Sequence, residues 1–367
     1  MEVTALKDSH LAQNPVISQM MQNNHEQIVF CNDNETGLKA IIAIHNTVLG
    51  PALGGTRMWN YTNEMEAITD VLRLSRGMTY KSSLAGLNLG GGKAVIIGDS
   101  KTQKNEALMR RFGKFVNSLA GKYITAEDVG IGTQDMVYVK METDSVTGIP
   151  ESMGGSGDPS PVTAFGVYMG MKACANKRWG NDSLAGKKVA VQGIGNVGQN
   201  LVKYLTKEGA KVYINDINEE RLQALSKETG AEVVLGDAIY DVDMDIYAPC
   251  ALGATINDAT LSRLKCSIIA GAANNQLLDE NVHGLAVLEK GLLYAPDFMI
   301  NAGGIINVYS ELTGYNRDNA MRQAENIYNT TLKIFDAATA QGITTHEAAK
   351  RLAIKRIDDI AKIRATR

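Results

Sequence analysis

Residues 189–202 read VAVQGIGNVGQNLV. A short β-rich run leads into Gly193, Gly195 and Gly198, spaced G-x-G-x-x-G, and a helical pattern opens at Asn196. In that context each glycine has a task. The first permits a tight turn, the second lets backbone approach a pyrophosphate, and the third lets helix and strand pack closely. The helix start offers N–H groups and a partial positive charge to the phosphates. The candidate cradle is therefore Gly193, Ile194, Gly195, Asn196, Val197 and Gly198. A second strand, KVYIND, ends at Asp216, about twenty residues past the glycines, where a carboxylate binds the adenosine ribose hydroxyls. A carboxylate there repels a 2′-phosphate. The following INEE carries no arginine, and Arg221 lies too far along, so the expected cofactor is NAD rather than NADP. FAD, and a bare turn in a non-binding α/β domain, are the competing readings.

Around this motif the runs KKVAVQ, KVYIN, DIYA, SIIA and LLYA alternate with helical segments, one near Glu219 to Thr229. Strands alternating with helices imply a parallel sheet covered on both faces. A long helical pattern from about Gly303 to Ala340 and an amphipathic segment from His346 to Ile363 follow. Upstream, GIPESMGGSGDPSPVTA (residues 148–164) is too rich in Gly, Pro and Ser to hold regular structure for long, and reads as a hinge between domains. Before it, KAIIAI, KAVII and KYIT read as strands. Helical spacing of apolar residues places helices over 64–81 and around Leu108 to Leu119. The expected architecture is α/β with two domains, 1–147 and a Rossmann-type 148–340.

Composition narrows the class. The 367 residues suffice for two cores, and a net charge of -3 gives no general attraction to nucleic acid or an anionic membrane. No apolar run is long enough for a bilayer span, and the N-terminus lacks a signal-peptide core. Cys31, Cys174, Cys250 and Cys266 are widely separated, which suits free thiols in a reducing cytoplasm. With five histidines in no HExxH or HxH arrangement, no metal site is expected.

A second motif, LNLGGGKAVI (Leu87 to Ile96), delivers Lys93 to an apolar run. As a P-loop it fails, because Leu87 stands where the first glycine belongs and Ala94 where Ser or Thr belongs. Lys81 in RGMTYK, the carboxylates Glu127 and Asp128 in TAEDVG, and the glycine pair before Thr56 and Arg57 in PALGGTRMW accompany it. Two lysines, a carboxylate and small-residue turns suit an anionic substrate that also carries a transferable proton. An ordinary lysine holds its proton at neutral pH, so a lysine base needs burial or a second cation nearby. A solvated surface charge is the alternative for each lysine taken alone.

Together these residues are specific. From HNTVLGPALGGTRMW to YAPDFMINAGGIINV and beyond, the chain resembles the amino acid dehydrogenases of the glutamate/leucine/phenylalanine/valine superfamily. The first dozen residues look like a family-variable extension. The resemblance implies that Lys81 pairs with the substrate α-carboxylate, with Gly54 and Gly55 lining that end, and that Lys93 is the catalytic lysine. It implies that Asp128 exchanges a proton with the amino nitrogen, that Asn275 in GAANNQ orients the substrate or nicotinamide region, and that Thr163 in SPVTA meets the nicotinamide amide. It further implies substrate on the first domain, NAD on the second, a cleft closing between them, and a C-terminal segment, 341–367, returning to the first domain.

The implied reaction is reversible oxidative deamination of an L-amino acid to a 2-oxo acid and ammonium. Candidate pocket residues Leu53, Ala126, Ile305 and Val308 are all apolar, and relatives acting on phenylalanine usually carry glycine at the position of Ala126. Branched-chain substrates (leucine, valine, isoleucine) are expected, with phenylalanine or another amino acid, or a non-catalytic NAD sensor, as alternatives. The resemblance also implies a homo-oligomer, an octamer by the family's habit.

Overall fold

The structure, a computed structural model, describes residues 15–251 and 253–365. The expected N-terminal extension lies outside the described residues. The chain divides into two compact units. The first runs to Asp158 and includes Glu311–Tyr315 and the residues from Arg356 onward; the second comprises Pro159–Ser310 and Asn316–Lys355. The first division falls inside the Gly/Pro/Ser-rich stretch, and the last helix is shared between units at Lys355 and Arg356.

The first unit holds a mixed five-stranded sheet in the order β1-β2-β4-β3-β5, with β1 Gln27–Asp33, β2 Leu38–Asn46, β3 Ala52–Trp59, β4 Gly90–Ile97 and β5 Tyr123–Glu127. β1, β2 and β4 pair antiparallel; β3 lies between β4 and β5 and is parallel to both. Side chains alternate across a strand, and β2 uses both faces. Ile41 and Ala43 pack with Val95 against Ala67, Ile68, Val71 and Leu72. Ala40, Ile42 and Ile44 pack with Ala94 and Ile96 against Leu108, Met109, Phe112 and Val116. The sheet is thus sandwiched. Of helices α1 (Pro15–Asn23), α2 (Glu64–Leu84), α3 (Glu106–Asn117) and α4 (Thr133–Lys140), α2 covers one face and α3 with α4 the other. Asn63 and Asn105 cap α2 and α3, each side chain accepting an N–H of the first turn.

PALGGTRMW, expected to supply turns, is from Ala52 onward the interior strand β3, next to the central β4. Its glycines serve close approach, for a Cβ on Gly54 would overlap the Gly92 carbonyl of the adjacent strand. Gly91 likewise leaves room for α2, since a Cβ there would overlap Thr79. At the unit's margin Glu311 Oε1 accepts the Gly148 N–H at 2.9 Å, the Ser156 N–H at 2.8 Å and the Ser156 hydroxyl.

The second unit holds a six-stranded, wholly parallel sheet in the order β11-β10-β9-β6-β7-β8. Its strands are β6 Lys188–Gln192, β7 Lys211–Asn215, β8 Glu232–Val233, β9 Ile246–Pro249, β10 Ile268–Ile269 and β11 Leu293–Tyr294. Numbered from β6, this is the 3-2-1-4-5-6 order of a dinucleotide-binding fold, with the order reversing between β6 and β9. The first helices of this unit are α5 (Ser160–Trp179), α6 (Asn196–Glu208) and α7 (Glu219–Thr229). α8 (Asp258–Arg263), α9 (Val282–Glu289), α10 (Asp297–Ile300) and α11 (Gly303–Tyr309) follow.

Two expectations need correction. The Gly/Pro/Ser-rich stretch does not stay irregular to Ala164, because α5 starts at Ser160 with Pro161 in its first turn, where a missing N–H costs nothing. The long pattern from Gly303 is not one helix. A 3-10 turn at Ser310–Thr313 and Gly314 at φ 89° end the first piece, and Asn316 caps a new one by accepting the Asn319 N–H. The resulting pieces are α11, α12 (Arg317–Glu325) and α13 (Ile327–Gln341), and α14 (Thr345–Ala365) closes the described chain.

Candidate active site

Lys93 sits in the middle of β4, paired in register with Ala43 of β2, and is only 6% exposed. Its Nζ donates to Asp128 Oδ2. Asp128 directly follows β5, and the loop beyond it is pinned at two points and tied to the start of α4. Met58 N–H donates to Val129 O at 2.9 Å; Lys104 Nζ donates to Gly130 O at 2.8 Å and to Asp135 Oδ2 at 2.7 Å. The carboxylate is therefore presented by a fixed loop.

Burial pushes the Lys93 ammonium below the usual lysine range, Asp128 opposes that shift, and Arg57 adds to it. Burial alone would raise the Asp128 carboxyl, but Lys93 and Arg57 outweigh it and hold it down at about 2. Glu127, one residue earlier, moves the other way, raised by burial and by the nearby charges of Asp158, Asp128 and Glu311, although the Thr133 hydroxyl opposes this. The two adjacent carboxylates are thus pushed in opposite directions, Asp128 toward the ionised form.

Arg57 was legible only as part of a quoted stretch, not as a member of this group. Its Nη1 lies 3.0 Å from Asp70 Oδ2 and its Nε 3.5 Å from Asp128 Oδ2. The structure sets the Arg57 charge close enough to act on Lys93 as a second cation. Lys81 lies in the last turn of α2, the helix packed over Gly91 of β4. Gly54 and Gly55 are paired with Thr125 and Ala126 of β5, and the Gly54 carbonyl accepts the Tyr123 hydroxyl at 2.6 Å. Leu53 and Ala126 are buried on these same neighbouring strands.

In the second unit the glycine turn has the form a dinucleotide needs. Gly193 has φ 95°, and a Cβ there would lie 2.6 Å from the Ala251 Cβ. A Cβ on Gly198 would overlap the Gly193 carbonyl, so the third glycine closes the turn against the helix. Nothing stands near the corresponding position on Gly195. α6 then starts at Asn196, with no side chain capping its first N–H groups. Asp216 follows β7 and accepts the Ile194 N–H at 2.8 Å and the Asn218 N–H at 2.9 Å. An uncapped helix start, an open glycine and a carboxylate at the turn fit a pyrophosphate joined to a ribose.

Thr163, in the first turn of α5, donates its hydroxyl to Pro159 O at 2.9 Å and abuts Gly304 of α11. Ile305 and Val308 are buried on α11. Asn275 holds a left-handed backbone, φ 52°, and its carbonyl accepts the Ala254 N–H at 2.7 Å. Among the described residues no group of His, Cys, Asp and Glu could hold a metal ion, and no helix is long and apolar enough to cross a membrane.

Comparison with known proteins agrees with this arrangement. The profile described as Glu/Leu/Phe/Val dehydrogenase, dimerisation domain, matches residues 25–145. The profile Glutamate/Leucine/Phenylalanine/Valine dehydrogenase matches residues 154–218 and 213–364. The leucine dehydrogenase of Thermoactinomyces intermedius is 56% identical over 351 residues, 96% of each chain. That of Bacillus subtilis (strain 168) is 55% identical over 346 residues, 94% of this chain and 95% of its own. The crystal structure of L-tryptophan dehydrogenase from Nostoc punctiforme superposes with a TM-score of 0.82 at 46% identity, covering 94% of this chain and 99% of that one. With its two units both matched and its glycine turn and buried lysine in place, the chain belongs to the glutamate/leucine/phenylalanine/valine dehydrogenase family.

Proposed function

We propose that the protein oxidatively deaminates branched-chain L-amino acids, reversibly, with NAD as hydride acceptor. The observation that carries this reading is the pairing of buried Lys93 with half-buried Asp128, with apolar Leu53 and Ala126 on the adjoining strands. An apolar pocket accepts leucine, valine and isoleucine alike, since one methylene is worth only about 1–3 kcal/mol.

Gly193 to Gly198 and Asp216 would hold the dinucleotide, with Thr163 at its nicotinamide amide; when bound, its nicotinamide ring supplies the acceptor for the Cα hydride. The protein's own residues do the rest. Lys81 binds the α-carboxylate, and Asn275 orients the reacting end. Asp128, ionised, takes the proton that the substrate ammonium must lose before the Cα–H bond breaks. Lys93, with its proton affinity lowered by burial, takes a proton from water as that water attacks the iminium carbon. Asp128 returns its proton to the carbinolamine nitrogen; the C–N bond then breaks as the hydroxyl proton passes to the departing ammonia, giving 2-oxo acid and ammonium, and Lys93 releases the proton it took from water to solvent. Leu53 and Ala126 are the first unit's lining for the substrate side chain in this reading.

The test is a panel of leucine, valine, isoleucine, phenylalanine, tryptophan and glutamate, each with NAD and NADP, followed by reduced-cofactor absorbance. Turnover confined to branched-chain substrates with NAD is expected; turnover mainly with aromatic substrates, or with NADP, overturns the reading. The same reading makes the protein a homo-oligomer, in keeping with the name of the profile over residues 25–145; light scattering tests whether it is an octamer.

A further inference from the structure

The geometry points to Arg57 as a positioning residue for the reaction, anchored on Asp70 so that it faces the same oxygen of Asp128 that Lys93 bonds. This rests on the deaminase reading of Lys93 and Asp128 given above.

The contacts form a chain that runs from α2 through β3 to the end of β5 and to β4. Tyr61 donates its hydroxyl to Asp70 Oδ2 at 2.7 Å, and the same oxygen lies 3.0 Å from Arg57 Nη1. Arg57 reaches from β3, and Asp70 faces it from α2. The other edge of the guanidinium, Nε, lies 3.5 Å from Asp128 Oδ2. Nε is buried and makes no closer hydrogen bond, so it is aimed at that oxygen without having closed on it. Lys93 Nζ donates to Oδ2 as well. With two cations on Oδ2, proton exchange with a substrate nitrogen falls to Oδ1.

Two consequences follow from charge alone. Arg57 steadies the ionised carboxylate whether or not Lys93 carries its proton, so Lys93 can cycle without Asp128 turning away. It also makes protonation of Lys93 less favourable, as any cation that close must. Asp70 then has a purpose beyond neutralising Arg57, because it fixes which edge of the guanidinium meets Asp128. The charged and titratable groups that act on the pair include Arg57 and Tyr61 from β3 and the loop after it, Asp70 from α2, and Glu127 and Tyr123 from β5.

The experiment compares wild type, Arg57→Gln, Arg57→Lys and Asp70→Asn. Two quantities are read against pH: kcat/KM for leucine, and the rate at which cyanate carbamylates Lys93, followed by peptide mass spectrometry. The second readout needs no turnover. It therefore separates failure of this proposal from failure of the substrate assignment, which would appear as a wild type inactive on every branched-chain substrate. Arg57→Gln is expected to move the Lys93 midpoint upward by about one pH unit and to lower kcat roughly a hundredfold, with a smaller change in KM. Arg57→Lys restores the midpoint but only part of kcat, because an ammonium lacks the fork. Asp70→Asn lowers kcat with KM nearly constant. An unmoved Lys93 midpoint in Arg57→Gln, or a kcat loss tracking only a fall in thermal stability, overturns the proposal. If Arg57→Gln does not fold, Asp70→Asn decides, and wild-type kcat in that variant overturns it.

Discussion

Asp216 accepts the Ile194 N–H at 2.8 Å, so the carboxylate proposed to read the cofactor's ribose also holds the glycine turn in shape. Asp216→Ser removes both actions. The KM for NAD should rise at least tenfold, while the preference for NAD over NADP narrows because the repelling charge is gone. Steady-state kinetics with the two cofactors check this. An unchanged preference would mean the carboxylate does not face the ribose.

Lys93→Ala should leave the fold and NADH binding in place, the latter seen by fluorescence titration, and lower kcat by orders of magnitude. The wild-type enzyme carries the companion expectation. Since burial depresses the Lys93 ammonium, kcat/KM should climb with pH to a midpoint below the ordinary lysine value of 10.5. Asp128 titrates at about 2, too low to shape that limb.

Ala126 pairs with Gly55 across β5 and β3. Ala126→Gly opens one methyl's worth of space on the pocket side. The ratio of kcat/KM for phenylalanine to that for leucine should increase about tenfold or more, within the range one small group can command. A flat ratio would remove Ala126 from the pocket.

His45 is buried beside His25, their rings edge-to-face at 4.7 Å. Its Nδ1 lies 2.8 Å from the Thr79 hydroxyl and its Nε2 2.9 Å from Asn23 O. Burial, then the neighbouring His25, lower it from 6.5 to about 3 despite the Asn23 carbonyl. The unfolded chain therefore binds a proton at mildly acid pH that the folded chain refuses. Stability from this site is complete above 6.5 and falls as pH drops from there toward 3, by up to about 1.4 kcal/mol per pH unit. Thermal melts at about pH 7 and about pH 5 should show a smaller loss for His45→Gln than for wild type.

How much of this was legible beforehand depended on how local each signal was. The strand, glycine turn and helix could be read because they and Asp216 follow one another along the chain. β3 could not. A glycine pair ordinarily signals a turn, and only the approach of β4 shows why Gly54 belongs inside a sheet. Arg57 was hidden for a similar reason, since its anchor Asp70 comes from another element. The break after α11 was missed because apolar periodicity continues through it, while Gly314 and the Asn316 cap redirect the backbone.

Glu311 joins Gly148 and Ser156 from more than a hundred and fifty positions downstream, and the stretch from Arg356 onward belongs to the same unit. The unit is therefore not a contiguous segment of the gene. A fragment stopped after Asp158 would lack both a clasp and a closing helix, so its failure to fold would say nothing about the unit's autonomy. Only a recombinant chain that splices the three stretches together with short linkers would ask that question fairly.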